Sequence, residues 1–186
     1  MDGHVADLNA AGHEWFAVQV RTGREHLCAR HLHVRGYHVF LPCYYEHRHW
    51  SDRIKKVVTP LFAGYVFCHI DGQVAGTLVA TPGVIRVVSD GQRPLIVARD
   101  EIDSIRRVVD AGLSAEPWHY LQAGQRVRIA RGPLHGTEGI VLRVNNRHRL
   151  VLSVSILQRS VAVELDPTWV SIPPQELLRV ATVSPG

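Results

Sequence analysis

Thr59-Pro60-Leu61-Phe62-Ala63-Gly64-Tyr65-Val66-Phe67-Cys68-His69-Ile70 (TPLFAGYVFCHI) decides how this chain is read: large apolar groups crowd a Pro/Gly turn, and a strand-like run follows. Side chains alternate across a strand, so Tyr65 and Phe67 share one face and Val66 and Cys68 the other. One face can be core while the other is open to a partner.

Upstream, Trp15-Phe16-Ala17-Val18-Gln19-Val20 is aromatic and β-branched, a strand. Arg21-Thr22-Gly23 turns into a helix from about Arg24 to Arg35, with Cys28, Ala29 and Leu32 on one face and Gly36 as its stop. Tyr37 to Leu41 alternates as the next strand and ends at Pro42. From Cys43 to Val58 aromatic and charged residues surround a Ser-Asp turn, the pattern of a projecting hairpin too polar for a core. Downstream, Gly72 to Ala80 reads as a weak short helix and Val84 to Val88 as a strand. Arg99 to Asp110 places Ile102, Ile105, Arg106 and Val109 at helical spacing, with Asp100 and Glu101 in the first turn as the helix dipole prefers.

Leu113 to Gln122 contains Pro117 and no period, so 113–122 is the expected linker. Beyond it Gln125 to Ala130, Gly139 to Val144, Leu150 to Ser155 and Ser160 to Leu165 are short β runs, and Trp169 to Ser171 is expected as a fifth. Such spacing argues a small antiparallel barrel. The expected fold class is α+β: an N-terminal α/β sandwich, an antiparallel sheet flanked by helices, at 13–112, and a five-stranded β-barrel at 123–181.

Composition narrows the function. With 46% hydrophobic and 20% charged residues the 186-residue chain is globular. Its apolar runs fall far short of the roughly 18 residues a spanning helix needs, so no membrane is expected. Three cysteines, Cys28, Cys43 and Cys68, without a CxxC pair, fit a reducing cytosol. The formal charge is +4, and residues 123–186 carry 8 Lys/Arg against 4 Asp/Glu. No phosphate-loop, dinucleotide, nucleophile-elbow or zinc-protease motif stands in the chain, so no catalysis and no cofactor are expected. The pairs His31/His33 and His47/His49 lack a third ligand nearby, which argues against a metal. Arg48, Arg53, Lys55 and Lys56 interleave with Trp50 on the hairpin, and Arg21 and Arg24 flank the first turn. Cations with an aromatic suit nucleic-acid phosphates and bases; a solvated, solubilising hairpin is the alternative.

Two distant segments add a resemblance. The order Trp15-Phe16-Ala17-Val18, helix, Gly36 to Pro42, charged hairpin, Pro60 to Phe67 and Thr81-Pro82-Gly83-Val84 resembles the NusG amino-terminal domain. Gly124 to Val141 (GQRVRIARGPLHGTEGIV) is similar to a KOW motif, the signature of an SH3-like barrel. Together they resemble the NusG family of transcription elongation factors from Trp15 to Ile172. Arg48-x-Trp50-Ser51-Asp52-Arg53 and Leu157 to Glu164 are closer to its specialised antiterminators, the UpxY-like and RfaH-like paralogues.

The resemblance implies a monomeric factor that docks on the clamp of bacterial RNA polymerase through Trp15, Phe62, Tyr65 and Phe67, and suppresses pausing or termination. It implies that Arg21, Arg24, Arg48, Arg53, Lys55 and Lys56 lie near non-template DNA or nascent RNA. It also implies that Leu134, Ile156 and Leu157 contact a further partner: a small-subunit ribosomal protein, the Rho terminator, or RNA. Arg147, His148 and Arg149, expected in one loop, bear on RNA contact. Ala63 stands where the family usually has proline, Val74-Ala75-Gly76 where RfaH reads DNA, and Thr137 where an aromatic is common. The competing class is an RNA-binding or ribosome-associated KOW protein that does not act on polymerase.

Overall fold

A computed structural model describes residues 14–50, 53–70, 75–120, 125–144 and 147–170. They fall into two compact units: 14–41 with Ala63–Arg99, and Pro42–Phe62 with 100–170.

The first unit is built on an antiparallel sheet of β1 (Glu14–Val20), β2 (His38–Phe40), β5 (Tyr65–Ile70), β6 (Val84–Val87) and β7 (Ile96–Val97), in the order β2-β5-β1-β6 with β7 also on β1. Its two helices are α1 (Glu25–Val34) and the short α2 (Ala75–Val79). The helix-side core joins Val18, Val20, Val66, Cys68 and Val87 from the sheet to Cys28, Leu32 and Leu78 from the helices. The alternation read in the sequence therefore holds: Val66 and Cys68 face the helices. Burial pushes the Cys68 thiol up to about 12, and burial followed by the Glu25 carboxylate raises that of Cys28.

In the second unit the hairpin strands β3 (Cys43–Trp50) and β4 (Arg53–Pro60) pair only with each other, as a charged, projecting hairpin should. Leu61 N–H donating to Pro42 O (2.9 Å) closes its base. Helix α3 (Arg99–Asp110) buries Ile102, Ser104, Ile105 and Val108. Its buried stripe thus runs through Val108, and Arg106 and Val109 are half-buried on its flank.

The remaining strands are β8 (Ala115–His119), β9 (Gln125–Arg128), β10 (Glu138–Val144), β11 (Arg147–Val154) and β12 (Arg159–Glu164), a five-stranded antiparallel sheet in the order β8-β12-β11-β10-β9. Two expectations are corrected here. The segment 113–122 is not simply a linker: Ala115 to His119 pair with β12, Pro117 opposite Val161. Proline is tolerated because β8 is an edge strand, where a missing N–H costs no ladder bond. The fifth strand is accordingly β8 and not Trp169–Ser171. Pro167–Trp169 form a 3₁₀ turn capped by Asp166, whose carboxylate accepts from Thr168 N–H (2.9 Å), and Val170 makes only an isolated bridge to Ile129. Ser171 lies outside the described residues.

Three barrel glycines stand where a side chain would be strained or would collide. Gly132 and Gly136 take φ of +78° and +80° in the β9–β10 loop. A Cβ on Gly139 would come within 2.8 Å of Leu150 Cδ1 and the Val151 carbonyl, so only glycine lets β10 and β11 approach this closely.

Candidate functional site

The face of the first sheet opposite α1 carries the side chains of Trp15, Phe40, Phe67 and His69. Register brings them together, because Trp15 stands opposite His69, Ala17 opposite Phe67, Phe40 opposite Phe67 and His38 opposite His69. Ring centroids lie 5.1 Å apart for Trp15–His69, 6.4 Å for Trp15–Phe40 and 6.3 Å for Phe40–Phe67, within the range of edge and offset aromatic contact. Tyr65, opposite Gln19, continues this face toward the turn. Phe40 and His69 were missed as members; the alternation of Tyr37 to Leu41 and of Tyr65 to Ile70 was the available signal.

Exposure divides the four residues expected to dock. Trp15 and Tyr65 are half-buried, whereas Phe62 is 1% and Phe67 0% exposed. Phe62, in the bend after β4, and Phe67, mid-strand in β5, are buried, and both are corrected from surface contacts to core.

The turn that aims Tyr65 is held by a residue the sequence did not flag. Glu25 is only 4% exposed, and its Oε1 accepts a hydrogen bond from Gly64 N–H (2.8 Å), while Val20 N–H donates to Gly64 O (2.8 Å). Gly64 itself sits at φ +82°. A buried carboxylate fixing both the loop and, through its place in the first turn of α1, the helix start supplies the rigidity that Ala63 in place of proline removes. Gly83 closes the neighbouring turn: a Cβ there would fall 2.5 Å from Cys28 Sγ, and its carbonyl accepts from Arg21 N–H (3.0 Å).

Arg21 and Arg24 are both exposed, and Arg24 is the N-cap of α1. Cations at a helix N-terminus oppose the dipole, so α1 itself gives no reason for them. On the hairpin, backbone register pairs His47 with Lys56, Arg48 with Lys55 and Trp50 with Arg53. The side chains of Arg48, Arg53 and Lys55 lie outside the described residues. Lys56 is exposed, its Nζ 3.7 Å above the Tyr45 ring.

Of the three residues expected to meet a barrel partner, Leu134 is 0% exposed and anchors the β9–β10 loop from inside; it is corrected from contact to core. Ile156 and Leu157 are half-buried on the 3₁₀ turn Ser155–Leu157. Glu101 Oε1 on α3 accepts hydrogen bonds from the N–H (3.1 Å) and hydroxyl (2.7 Å) of Ser155. Arg107 Nη1 donates to the fully buried Thr137 hydroxyl at 3.3 Å. Beside them a cleft of about 610 Å³ is lined by Arg107, Arg126 and Arg128 but also by Asp100, Glu101 and Glu138, so it carries no preference for anions. Arg147 and Arg149 do not form the cationic loop expected. Both lie in β11, where Arg147 pairs with Glu164 at 3.0 Å and Arg149 with Glu116.

Among the described residues no three His, Cys, Asp or Glu side chains gather to hold a metal, and no helix is long and apolar enough to cross a membrane.

A family model described as transcription termination factor nusG matches residues 13–106. The transcription termination/antitermination protein NusG of Thermus thermophilus is 28% identical over 174 residues, covering 82% of this chain and 95% of that protein. That of Borreliella burgdorferi is 29% identical over 133 residues, 65% and 71% respectively. Among solved structures the chain is similar to one titled "Domain interaction in Thermotoga maritima NusG", with a TM-score of 0.52 at 22% identity, over 87% of this chain and 98% of that one. At that identity the likeness concerns the fold.

Proposed function

The chain belongs to the NusG family, and from that premise we propose that it is a transcription elongation and antitermination factor that docks on the clamp of RNA polymerase and suppresses pausing. The observation that carries this reading is the aromatic sheet face, with Trp15 and Tyr65 half-buried above fully buried Phe67. Half-exposed aromatics on a rigid sheet suit an interface core, because they offer large contact area at little entropic cost. Phe67 fills the middle of the patch, and Glu25 holds the turn that presents Tyr65.

Residues 13–112 are assigned to polymerase binding. The barrel, from Ala115 onward, is assigned to a further partner, a ribosomal protein, Rho or RNA, met through Ile156 and Leu157. Arg21, Arg24, Arg48, Arg53, Lys55 and Lys56 are assigned to nucleic-acid phosphates beside the polymerase. The mechanism needs no bond-making. A factor that binds the elongating conformation more tightly than the paused one shifts the population toward elongation by that difference in affinity.

Single-round transcription by bacterial RNA polymerase, with wild-type and Tyr65→Ala protein, tests the proposal. Shortened pauses with wild type, lost with Tyr65→Ala, are the expected result. If the protein neither binds polymerase nor alters its elongation, while the barrel retains RNA binding, the reading gives way to a ribosome- or RNA-associated KOW protein.

A further inference from the structure

The aromatic face ends in a polar row. Across β5, β1 and β6, Tyr65 stands opposite Gln19 and Gln19 opposite Arg86. The β1–β6 register shifts between Gln19 and Val20, an irregularity of the kind that re-aims a side chain. Arg86 is exposed, and its Nε donates to Gln19 Oε1 at 2.8 Å. That bond ties the guanidinium to the row of Tyr65 and leaves its two Nη groups as a fork for another acceptor.

Other arginines of the chain meet carboxylates: Arg106 meets Asp103, Arg147 meets Glu164 and Arg149 meets Glu116. Arg86 instead meets a neutral amide, and among the described residues it makes no ion pair. Its polar neighbours on this face are Gln19, His38 and His69, and no strand residue of the face is Asp or Glu. A cation without a counter-charge at the edge of an aromatic patch fits a partner that brings an apolar ridge with a carboxylate beside it. We propose that Arg86 is a specificity-determining residue of the docking face, taking a carboxylate of the polymerase in a bidentate pair, with Gln19 as its positioning residue. A surface without that carboxylate would cover the guanidinium unpaired, so the row selects against it. The inference deepens the docking proposal and rests on it.

The test is equilibrium binding of the fluorescently labelled full chain to core RNA polymerase free of nucleic acid, repeated with polymerase on a nucleic-acid scaffold. Wild type is compared with Arg86→Ala, Arg86→Lys and Tyr65→Ala. Arg86→Ala should weaken binding to the core enzyme about tenfold or more and flatten its salt dependence. Its urea midpoint should stay that of wild type, because the side chain is exposed. Arg86→Lys keeps the charge but not the fork, and its affinity should fall between the two. Unchanged affinity in Arg86→Ala overturns the inference, as does full wild-type affinity in Arg86→Lys. A loss seen only on the scaffold would assign Arg86 to a phosphate and overturn the carboxylate pair. Loss in Tyr65→Ala without loss in Arg86→Ala ends this inference and leaves the docking proposal standing; no binding by wild type ends both.

Discussion

The two five-stranded sheets of this protein solve the same burial problem with different chemistry. In the first, the helix-side face is mainly aliphatic, through Val18, Val20, Val66 and Ile70 with Phe16 beside them, and the other face carries Trp15, Phe40, Phe67 and His69. In the second, buried residues run consecutively, Leu150-Val151-Leu152 on β11 and Val161-Ala162-Val163 on β12, so both faces are mainly aliphatic and buried, with Trp118 packed against one of them. A sheet whose two faces differ in chemistry has one to spend on a partner. The sheet that buries aliphatics on both sides leaves recognition to its turns, here the Ser155–Leu157 turn. The candidate docking residues lie at strand starts in one unit, Trp15 on β1 and Tyr65 on β5, and at a loop in the other.

The comparison can be broken most forcefully at Phe67. Phe67→Ala should cost about 3–5 kcal/mol in urea unfolding followed by circular dichroism, whereas Tyr65→Ala should cost less than about 1 kcal/mol while abolishing pause suppression. Equal stability losses would mean that Tyr65 is core and that the face is not divided as described. Next in size is Gly139→Ala in the barrel, where the new Cβ has nowhere to go between Leu150 and Val151. A loss of about 1–3 kcal/mol is expected, and a neutral outcome would show that β10 and β11 can separate freely. Glu25→Gln keeps an acceptor oxygen but surrenders the charge. It should lose about 1 kcal/mol and raise the hydrogen-exchange rate of the Gly64 amide, and Glu25→Ala should lose more. An unaltered Gly64 exchange rate would show that Ala63-Gly64 holds its geometry without α1.

A pH titration sharpens the same contrast. Cys68 ionises near 9.0 when exposed and near 12 when folded, so its contribution to stability is complete below about pH 9 and is lost as pH rises from 9 to 12. Cys68→Ala, though less stable at neutral pH, should show a shallower alkaline decline of unfolding free energy through that window. The smallest effect belongs to Arg147. Its pair with Glu164 is exposed, so Arg147→Ala should change stability by less than about 1 kcal/mol; a larger loss would make the barrel's edge, not its aliphatic interior, decisive.

Much of the fold was legible because local pattern reports period and turn chemistry directly. Cys28 and Leu32 one turn apart fixed the buried stripe of α1, and the charged hairpin announced itself by its polarity. Half of the docking face was legible too, since alternation placed Tyr65 with Phe67. What escaped is long-range. Phe67 and Tyr65 have the same period and similar size, and only neighbours from β1 and β2 make one buried and the other half-open.

The sequence by itself determined where most strands and helices lie and which side chains share a face, because these follow from the periods of 2.0 and 3.6 residues and from the dihedral freedom of glycine and proline. The tertiary structure alone decided that Pro117 sits in an edge strand, that Glu25 fastens the turn 39 residues away, and that Arg147 and Arg149 are matched by Glu164 and Glu116. Each of these depends on a partner far along the chain, and a pairing of that kind leaves no periodic trace in the residues on either side of it.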